Sequence, residues 1–300
     1  MKHLHVAVLM GGPSAEAAVS RASGKMVLEA LRGTGVAAEP VDLLGTTVEL
    51  PAGVDLAFIA MHGAFGEDGH LQQILEDRGV PYTGSDAGAS ARAFDKVTAK
   101  ECFQQAGIPT PAFAIGNLGE DLDLPVVVKP ARQGSSVGIS IVRERPELAP
   151  ALARAQAFPG AVIVEEFVRG RELTVGILGT DALPVIEIRT KHKFFDFEAK
   201  YTAGEAEEIC PAPLDAATTV RAQELAWRAH ESLGCRDFSR VDLMLSETGE
   251  LCVLEVNTIP GMTANSLLPK AARTAGLGMP ALCLRMIEMA LTRRPEAVAA

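Results

Sequence analysis

Cysteine is scarce in this chain of 300 residues. Its five cysteines are scattered along the sequence, odd in number, and include no Cys-x-x-Cys pair. This pattern argues against both a disulfide framework and a structural zinc site, which need paired or regularly spaced cysteines. We therefore expect the protein to work in a reducing compartment, the cytoplasm.

Positive charge is also in short supply. The chain has 28 Lys and Arg against 38 Asp and Glu, a formal net charge of −10. A sequence-independent nucleic-acid binder is normally basic, so no nucleic-acid partner is expected. An anionic substrate such as a nucleotide would need a local basic pocket inside an acidic shell.

Long apolar runs are missing as well. The first apolar segment, Val6–Met10, is too short for the core of a signal sequence, and no run reaches membrane-spanning length. We expect no membrane partner. Hydrophobic residues make up 48% and charged residues 22% of the chain, an ordinary soluble composition. The length suggests about two or three domains.

The first third of the chain alternates short apolar strands with helices. The strands are predicted over Leu4–Met10 and Asp55–Met61. The helix after the first strand has Ser14 as its predicted N-cap, and the next helix covers His70–Arg78. Because this alternation is typical of parallel sheets with helices on both faces, residues 1–92 are predicted to form a doubly wound α/β domain.

The rest of the chain predicts two α+β lobes. Residues 93–170 begin with a predicted helix over Ala93–Gln105 and continue as short strands with one helix. Residues 171–300 contain further strands, a polar and aromatic loop at 190–204, a long helix, a hairpin and two terminal helices. No internal repeat or low-complexity segment interrupts this order.

The turn signal Thr248-Gly249 separates two strand-like segments. If the turn closes a hairpin between Glu247 and Glu250, counting places Asp242 opposite Glu255. Side chains alternate along strands, so one face then carries Arg240, Asp242, Glu255 and Asn257. The other face would be apolar and would carry Val241, Leu243, Leu245, Cys252, Leu254 and Val256.

Like charges directly opposed across a ladder destabilise it. The pair Asp242 and Glu255 therefore predicts a cation between the two carboxylates. Carboxylate oxygens with the amide oxygen of Asn257 suit Mg²⁺ or Mn²⁺, and Mg²⁺ often completes its shell with phosphate oxygens. The hairpin thus indicates a metal-nucleotide enzyme. The alternative is a surface hairpin whose acids are solvated.

Small residues dominate the loop Gly134-Ser135-Ser136-Val137-Gly138, which follows a strand ending at Lys129. Such residues let backbone N–H groups wrap an anion, and the lysine directs a cation to the same region. The loop could hold a phosphate, although many such loops are plain turns and this one is not a Walker motif.

Two further groups of polar residues follow the predicted N-terminal strands. Glu16 comes after Gly11-Gly12, at the carboxyl end of the first strand, where open α/β sheets bind ligands. A helix start alone also favours a carboxylate there. His62 follows the second strand and is either structural or ligand-binding, and Glu67-Asp68 could cap the next helix. The dinucleotide pattern Gly-x-Gly-x-x-Gly is missing, which disfavours an NAD dehydrogenase.

Taken together and in order, these motifs resemble the ATP-grasp superfamily and, within it, the D-alanine–D-alanine ligases. The resemblance covers nearly the whole chain. It is carried by Gly11-Gly12-Pro13-Ser14-Ala15-Glu16, His62-Gly63-Ala64-Phe65-Gly66-Glu67-Asp68-Gly69, Asp95-Lys96, Lys129-Pro130-Ala131-Arg132-Gln133-Gly134-Ser135-Ser136-Val137-Gly138-Ile139-Ser140, Glu198-Ala199-Lys200-Tyr201, Arg240-Val241-Asp242, Glu255-Val256-Asn257-Thr258-Ile259-Pro260-Gly261-Met262-Thr263 and Ser266-Leu267. It implies an N-terminal domain followed by two lobes that clasp ATP.

The resemblance implies ligation of two D-alanines with ATP, through a D-alanyl phosphate, for peptidoglycan precursor synthesis. It implies D-alanine and ATP as partners, two Mg²⁺ or Mn²⁺ ions, and a homodimer. The residues it assigns to ATP are Lys96, Lys129, Glu165, Phe167, Val168, Glu172 and Lys200. The residues it assigns to the metal ions are Asp242, Glu255 and Asn257, with Glu255 as the bridge.

The resemblance also assigns the residues of acyl transfer. Arg240 and the backbone N–H of Gly261 would stabilise the oxyanion. Those assigned to the first D-alanine are Glu16, Ser135 and Tyr201, with His62 in support. Those assigned to the carboxylate of the second are Ser266 and Leu267. The loop 190–204 would close as a lid over the acyl phosphate.

Other functions remain open at this point. A ligase that forms D-alanyl–D-lactate is one, although Tyr201 favours the peptide because ester-forming relatives depart from Tyr at this position. Another carboxylate–amine ligase of the ATP-grasp class is a second alternative. A nucleotide-binding module without chemistry is a third, and the acids, the lysines and Arg240 argue against it.

Overall fold

In the computed structural model, which describes residues 3–135, 137–190 and 206–293, the chain forms three sheets in sequence order. The first sheet is parallel and the other two are antiparallel. The predicted combination of an α/β domain with two α+β lobes is therefore confirmed.

The first sheet has the strand order β2-β1-β3. Its elements are β1 (His5–Gly11), α1 (Ala17–Arg32), β2 (Ala37–Leu43), β3 (Leu56–Ile59) and α2 (His70–Asp77). Val6 and Val8 of β1 share a core with α1, whereas Ala7 and Leu9 share one with α2. Helices thus cover both faces, as predicted. The prediction did not include β2, whose side chains are mostly exposed or half-buried.

The predicted cap of α1 is wrong. Glu16, not Ser14, occupies the N-cap position, and its side chain makes no capping hydrogen bond. Instead the Ser14 hydroxyl donates to the backbone oxygen of His62 at 2.7 Å and accepts from the Glu16 N–H at 3.2 Å. Ser14 therefore ties the first strand exit to the second, which local sequence could not indicate.

The helix predicted over Ala93–Gln105 is two helices, α3 (Ala87–Phe94) and α4 (Lys96–Gln105). Asp95 breaks them, because its backbone is extended at φ −88° and ψ 105°. Its side chain accepts from the N–H groups of Val97 and Thr98, so it caps α4. The predicted boundary after residue 92 falls inside α3.

The second sheet has the order β4-β7-β5-β6. Its elements are β4 (Phe113–Ile115), β5 (Val126–Pro130), β6 (Ser140–Val142), α5 (Arg145–Ala155) and β7 (Val162–Glu166). Apolar residues of β5 and β7 form a small core with α5. Lys129 and Glu165 lie on these two central strands.

The third sheet has the order β11-β10-β8-β12-β13, with β9 paired to β8. Its strands are β8 (Gly170–Leu178), β9 (Asp181–Ala182), β10 (Ile186–Thr190), β11 (Ala206–Ile209), β12 (Phe238–Ser246) and β13 (Leu251–Asn257). The helices of this part are α6 (Ala216–Ser232), α7 (Leu267–Thr274) and α8 (Met279–Thr292). One face of β8, β12 and β13 shares a core with α3, α4 and α6. The predicted boundary after residue 170 falls at the start of β8.

The hairpin of β12 and β13 has the predicted pairs, Asp242 with Glu255 and Arg240 with Asn257. Two local predictions were wrong, however, and their errors cancel. The turn is one residue longer than expected, because the Ser246 N–H donates to the Glu250 oxygen. A β-bulge between the pairs Asp242–Glu255 and Leu243–Val253 then restores the register.

The bulge also changes which residues of β13 are buried. The prediction assigned Cys252 and Leu254 to the core, but both are only half-buried. Leu251 and Val253 take their places, at 7% and 0% exposure. The buried face of β12, with Val241, Leu243 and Leu245, and the burial of Val256 are as predicted.

Within the described residues, no single helix is long and apolar enough to cross a membrane. The pair α7 and α8 would pass such a test together, by length and composition, but it bends by 103° at its break. Both helices bury residues in the core that contains β1 and β3, among them Leu268 and Met286.

Candidate active site

A cavity of about 490 Å³ lies where the three sheets meet. Its walls come from the turn after β1, the exit of β3, the start of α4, the loop after β5, the strands β10 to β13 and the segment before α7. The predicted site residues that line it are Glu16, His62, Lys96, Ser135, Arg240, Asp242, Glu255, Asn257, Gly261, Ser266 and Leu267. Tertiary structure therefore brings together residues from all three predicted domains.

Arg240 and Asp242 form a fork on the cavity face of β12. The guanidinium Nε lies 2.9 Å from Oδ1 and Nη2 lies 2.7 Å from Oδ2 of the carboxylate. The hydroxyl of Thr174 on β8 donates to Oδ1 at 2.6 Å. Burial would lower the pKa of Arg240, but Asp242 outweighs it and raises that pKa. Arg240 is thus a fixed, charged clamp.

Lys96 connects the hairpin to the loop after β5. Its Nζ lies 3.1 Å from Glu255 Oε2 and donates to the backbone oxygen of Gln133 at 2.9 Å. The lysine is 8% exposed, because α4 starts at this residue against the cavity wall. Lys96, in the second predicted domain, therefore contacts Glu255, a predicted metal ligand in the third.

Glu16 lies close to two glycine backbones. A Cβ atom would stand 2.5 Å from Glu16 Oε2 at Gly63 and 3.0 Å from it at Gly134. Gly63 also has a φ of +76°, which favours glycine. The hydroxyl of Ser135 donates to Glu16 Oε1. The predicted association of Glu16 with Ser135 is present, and it joins the first lobe to the second.

His62 is held at both ring nitrogens. Nδ1 lies 3.0 Å from the backbone oxygen of Ile259, and Nε2 lies 2.9 Å from the hydroxyl of Ser23. The Ser23 hydroxyl also accepts from the Met262 N–H at 3.1 Å. These contacts fit the structural role that the sequence left open. A direct contact of His62 with substrate stays a prediction.

Glu67 is a cavity residue that sequence reasoning missed. It was grouped with Asp68 as a helix cap, but the N-cap residue of α2 is Gly69, without a side-chain capping hydrogen bond. Asp68 accepts from the N–H groups of Phe65 and His70. The Glu67 carboxylate instead lies 3.5 Å from His62 Nδ1. Burial raises its pKa, and the contact with His62 opposes that effect. The sequence signal that could have indicated this role is that two adjacent acids precede the helix, whereas a helix cap needs only one.

The opposite end of the cavity is formed by the start of α7. Ser266 is the N-cap residue, and its hydroxyl accepts from the Thr263 N–H at 3.0 Å. A Cβ atom at Gly261 would stand 2.7 Å from the Ser266 hydroxyl. A larger residue at position 261 would therefore displace the Ser266 hydroxyl, and the loop places Gly261, Ser266 and Leu267 along one wall.

Among the described residues, the cavity lining does not include five that were predicted to bind ATP, namely Lys129, Glu165, Phe167, Val168 and Glu172. The N–H of Phe167 donates to the Pro125 oxygen at 3.3 Å, so this backbone donor of a predicted ATP-binding residue has a partner within the protein. The ATP-binding roles of the five stay predictions. Lys200, Tyr201 and most of the predicted lid lie outside the described residues.

The cavity is acidic overall. Of its described residues, Glu16, Glu67, Glu208, Asp242 and Glu255 carry carboxylates, and only Lys96 and Arg240 are permanent cations. Among all the residues that the structure describes, no group of three or more His, Cys, Asp or Glu side chains is arranged to hold a metal ion. The two opposed acids and the Asn257 amide nevertheless provide hard oxygen donors, which fit a divalent cation.

Comparison with known proteins identifies the family. The model of the D-ala D-ala ligase C-terminus matches residues 87–288, and that of the N-terminus matches residues 44–85. The chain is 44% identical over 291 residues to the D-alanine–D-alanine ligase of Methylacidiphilum infernorum, covering 96% of each protein.

Solved structures agree. A D-alanine–D-alanine ligase from Bacillus anthracis complexed with ATP is similar at a TM-score of 0.84 and 32% identity, covering 96% of this chain and 97% of that one. The VanG D-Ala:D-Ser ligase from Enterococcus faecalis is similar at 0.83 and 30%, covering 96% and 99%. With most of the predicted site residues that the structure describes lining one cavity, and with its length matched almost throughout, the chain belongs to the D-alanine–D-alanine ligase family.

Proposed function

We propose that this chain uses ATP to join two D-alanine molecules through a D-alanyl phosphate, and so supplies a precursor of peptidoglycan. Membership of the family supports the reaction. The observation that supports placing the reaction in this cavity is the opposed pair Asp242 and Glu255. Asp242 contacts the half-buried Arg240, and Glu255 contacts the buried Lys96.

In the first step a carboxylate oxygen of one D-alanine bonds to the γ-phosphorus of ATP, and ADP leaves. Such a transfer needs positioning and charge neutralisation rather than covalent help from the protein. The Glu16 carboxylate would bind the ammonium of this D-alanine, since it is held by Ser135 at the junction of two lobes. Lys96, Lys129 and Lys200 would bind the phosphates.

In the second step the amine of the other D-alanine bonds to the acyl carbon, loses a proton, and phosphate leaves. The charged Arg240 and the Gly261 N–H would stabilise the oxyanion that develops on the acyl oxygen. The N-terminus of α7 would bind the carboxylate of the second D-alanine, with Ser266 and the Leu267 backbone, because helix starts favour anions.

The metal ions are part of the proposal. Asp242, Glu255 and Asn257 would hold two Mg²⁺ or Mn²⁺ ions, which neutralise the triphosphate when bound. The Asn257 amide oxygen already accepts from the Ile259 N–H at 3.0 Å, which fixes its direction and leaves a second lone pair. The acidic surplus of the cavity supports this, since a triphosphate needs added positive charge to bind there.

The activity is tested by phosphate release from ATP and Mg²⁺ with D-alanine, where L-alanine should not substitute. Mass spectrometry of the product, with D-lactate or D-serine offered beside D-alanine, identifies the second substrate. We expect D-alanyl-D-alanine as the main product at neutral pH. No phosphate release with D-alanine would refute the proposed reaction, and a mainly ester product would assign the chain to depsipeptide synthesis.

The metal site is tested by chelation and by substitution. EDTA should stop phosphate release and added Mg²⁺ should restore it. Glu255→Gln should lower kcat by orders of magnitude, on the order of 10² or more, because neutralising the developing charge carries phosphoryl transfer. Glu247→Gln, an exposed acid in the same hairpin, is the matched control and should keep full activity. Full activity of the Glu255 variant would contradict the metal assignment.

Two wider features complete the proposal. A homodimer is expected from the family resemblance, and light scattering after size-exclusion chromatography tests it by mass. An ATP-consuming biosynthetic enzyme acts where ATP is made, so we place the protein in the cytoplasm. The five cysteines, all within the described residues and all free thiols, agree with a reducing compartment.

A further inference from the structure

Lys100 is a buried charge for which the proposed reaction has no use so far. It lies on α4, one turn after Lys96, and its relative exposure is 0%. Its ammonium makes two hydrogen bonds and one ion pair. Nζ donates to Thr110 Oγ1 at 2.7 Å and to the Pro111 oxygen at 3.1 Å, and it lies 3.0 Å from Glu165 Oε2.

Burial lowers the pKa of Lys100, and the carboxylate of Glu165 opposes this. The pKa of Glu165 is instead shifted in the direction that favours its charged form. Burial alone would raise the pKa of that carboxyl, but Lys129 and then Lys100 outweigh it and keep the pKa below its usual value. The ion-pair distances place one carboxylate between two ammonium groups, so the cluster in its ionised form carries a net charge of one positive unit.

Lys100, the second cation beside Glu165, makes the net charge of this cluster positive. Lys129 Nζ lies 2.5 Å from Glu165 Oε1, so the pair by itself would be neutral. We propose that Lys100 is a positioning residue for the nucleotide site, which neutralises Glu165 so that Lys129 keeps a positive charge for the triphosphate. This inference rests on the proposed use of ATP.

The same ammonium also connects the two lobes of the proposed ATP site. Thr110, which accepts from Lys100, donates through its hydroxyl to the Val253 oxygen at 2.9 Å. The Val253 N–H in turn donates to the Pro109 oxygen at 2.8 Å. Val253 is the last regular ladder residue before the bulge that leads to Glu255. Lys100 thus contacts strand β7 through Glu165 and strand β13 through Thr110.

The test is a charge-exchange series in the full-length chain, with ATP and Mg²⁺ binding measured by calorimetry. Lys100→Met makes the cluster neutral and should weaken ATP binding on the order of tenfold, the effect of one nearby charge at protein-like dielectric. Lys100→Arg keeps a positive charge beside Glu165 and should retain most of the affinity. Lys25→Met removes a charge from the exposed face of α1 and is the control, with unchanged binding.

A purely structural lysine would give a different pattern. Its loss would lower the unfolding temperature, and the folded variant would keep its ATP affinity. Unchanged affinity in Lys100→Met, or an equal loss in Lys100→Arg, would overturn the inference. Should Lys100→Met not fold, Lys100→Gln, which is also neutral, takes its place, and unchanged ATP binding in that variant would overturn the inference. A wild-type chain that binds no ATP would instead refute the proposed function itself.

Discussion

Gly261 marks the tightest approach in the wall that leads to α7. A Cβ atom there would stand 2.7 Å from the Ser266 hydroxyl, so Gly261→Ala must push the N-cap residue aside. We expect kcat/KM for D-alanine to fall on the order of ten- to hundredfold, because small displacements of positioning groups have large effects. ATP affinity should change little.

The control for this substitution is Gly45→Ala, where a Cβ atom meets nothing within 4 Å. Steady-state kinetics with D-alanine and ATP varied in turn separates the two substrates. An equal loss of affinity for ATP would show that Gly261 does not act through the binding of D-alanine.

His230 should make stability depend on pH. It is 3% exposed, its Nδ1 lies 2.7 Å from the Ser239 hydroxyl, and burial lowers its pKa from 6.5 to about 4. As pH falls through this window the unfolded chain binds a proton that the folded chain refuses. The free energy of unfolding should therefore drop, by up to about 3 kcal/mol at pH 4.

Urea unfolding between pH 7 and pH 4 measures this contribution. His230→Gln should remove that part of the slope, whereas His3→Gln, at an exposed position, should retain it. A slope in His230→Gln equal to that of the wild-type chain would rule out His230 as its source.

Single residues show where local patterns stop being informative. Glu16, Lys96 and Asp242 could be named from their motifs, because the first two stand at helix starts and Asp242 stands opposite a second acid in the hairpin. Glu67 could not, since a carboxylate before a helix is equally well explained as a cap. Its place in the cavity depends on the conformation of the short turn that separates it from His62.

At the scale of elements, the break between α3 and α4 positions Lys96 in the proposed ATP site. Asp95 caps α4 by accepting from the Val97 N–H at 3.1 Å, and Lys96 follows directly. Asp95→Ala should lower the free energy of unfolding by about 1 kcal/mol, as loss of a cap does. It should also raise KM for ATP, because the first turn of α4 positions Lys96.

Asp95→Asn is the matched variant, since the amide oxygen can still accept from the same N–H groups. Chemical denaturation and ATP kinetics should therefore show near wild-type behaviour for Asn and a defect for Ala. Equal defects in both variants would point to the charge of Asp95, which lies 3.9 Å from Arg132, rather than to its capping.

The elements themselves were largely predictable where side chains are buried. The strands β1, β3, β5 and β7 were all expected, because each contains a run of apolar residues. Strand β2 was not, because its exposed side chains and Pro40 hide the pairing with β1. The hairpin register was obtained through two offsetting errors, since neither a longer turn nor a bulge has a strong local signal.

At the scale of the whole molecule, the cavity exists only when all three sheets are in place. His62 contacts Ile259 at 197 positions away, and Ser23 contacts Met262 at 239. A ligand that bridges these walls should stabilise the chain as a unit. At an ATP concentration 100 times Kd, with Mg²⁺, we expect about 2.7 kcal/mol of stabilisation.

Thermal unfolding monitored by circular dichroism measures this effect as a rise of several degrees in Tm. AMP, which lacks the β- and γ-phosphates that Lys96 and Lys129 are proposed to bind, should give a smaller rise and serves as the control. An unchanged Tm with ATP would contradict binding across the three walls.

The sequence by itself determined the fold class and the family, because ordered motifs and buried apolar strands are local patterns that survive without coordinates. It also determined the acidic pair of the hairpin, because side chains alternate along a strand. Only the tertiary structure decided that Glu67 turns to His62 and that Lys100 and Lys129 share Glu165. The first contact depends on the path of a turn and the other two join residues far apart in the chain, and burial then decides which charges need a partner.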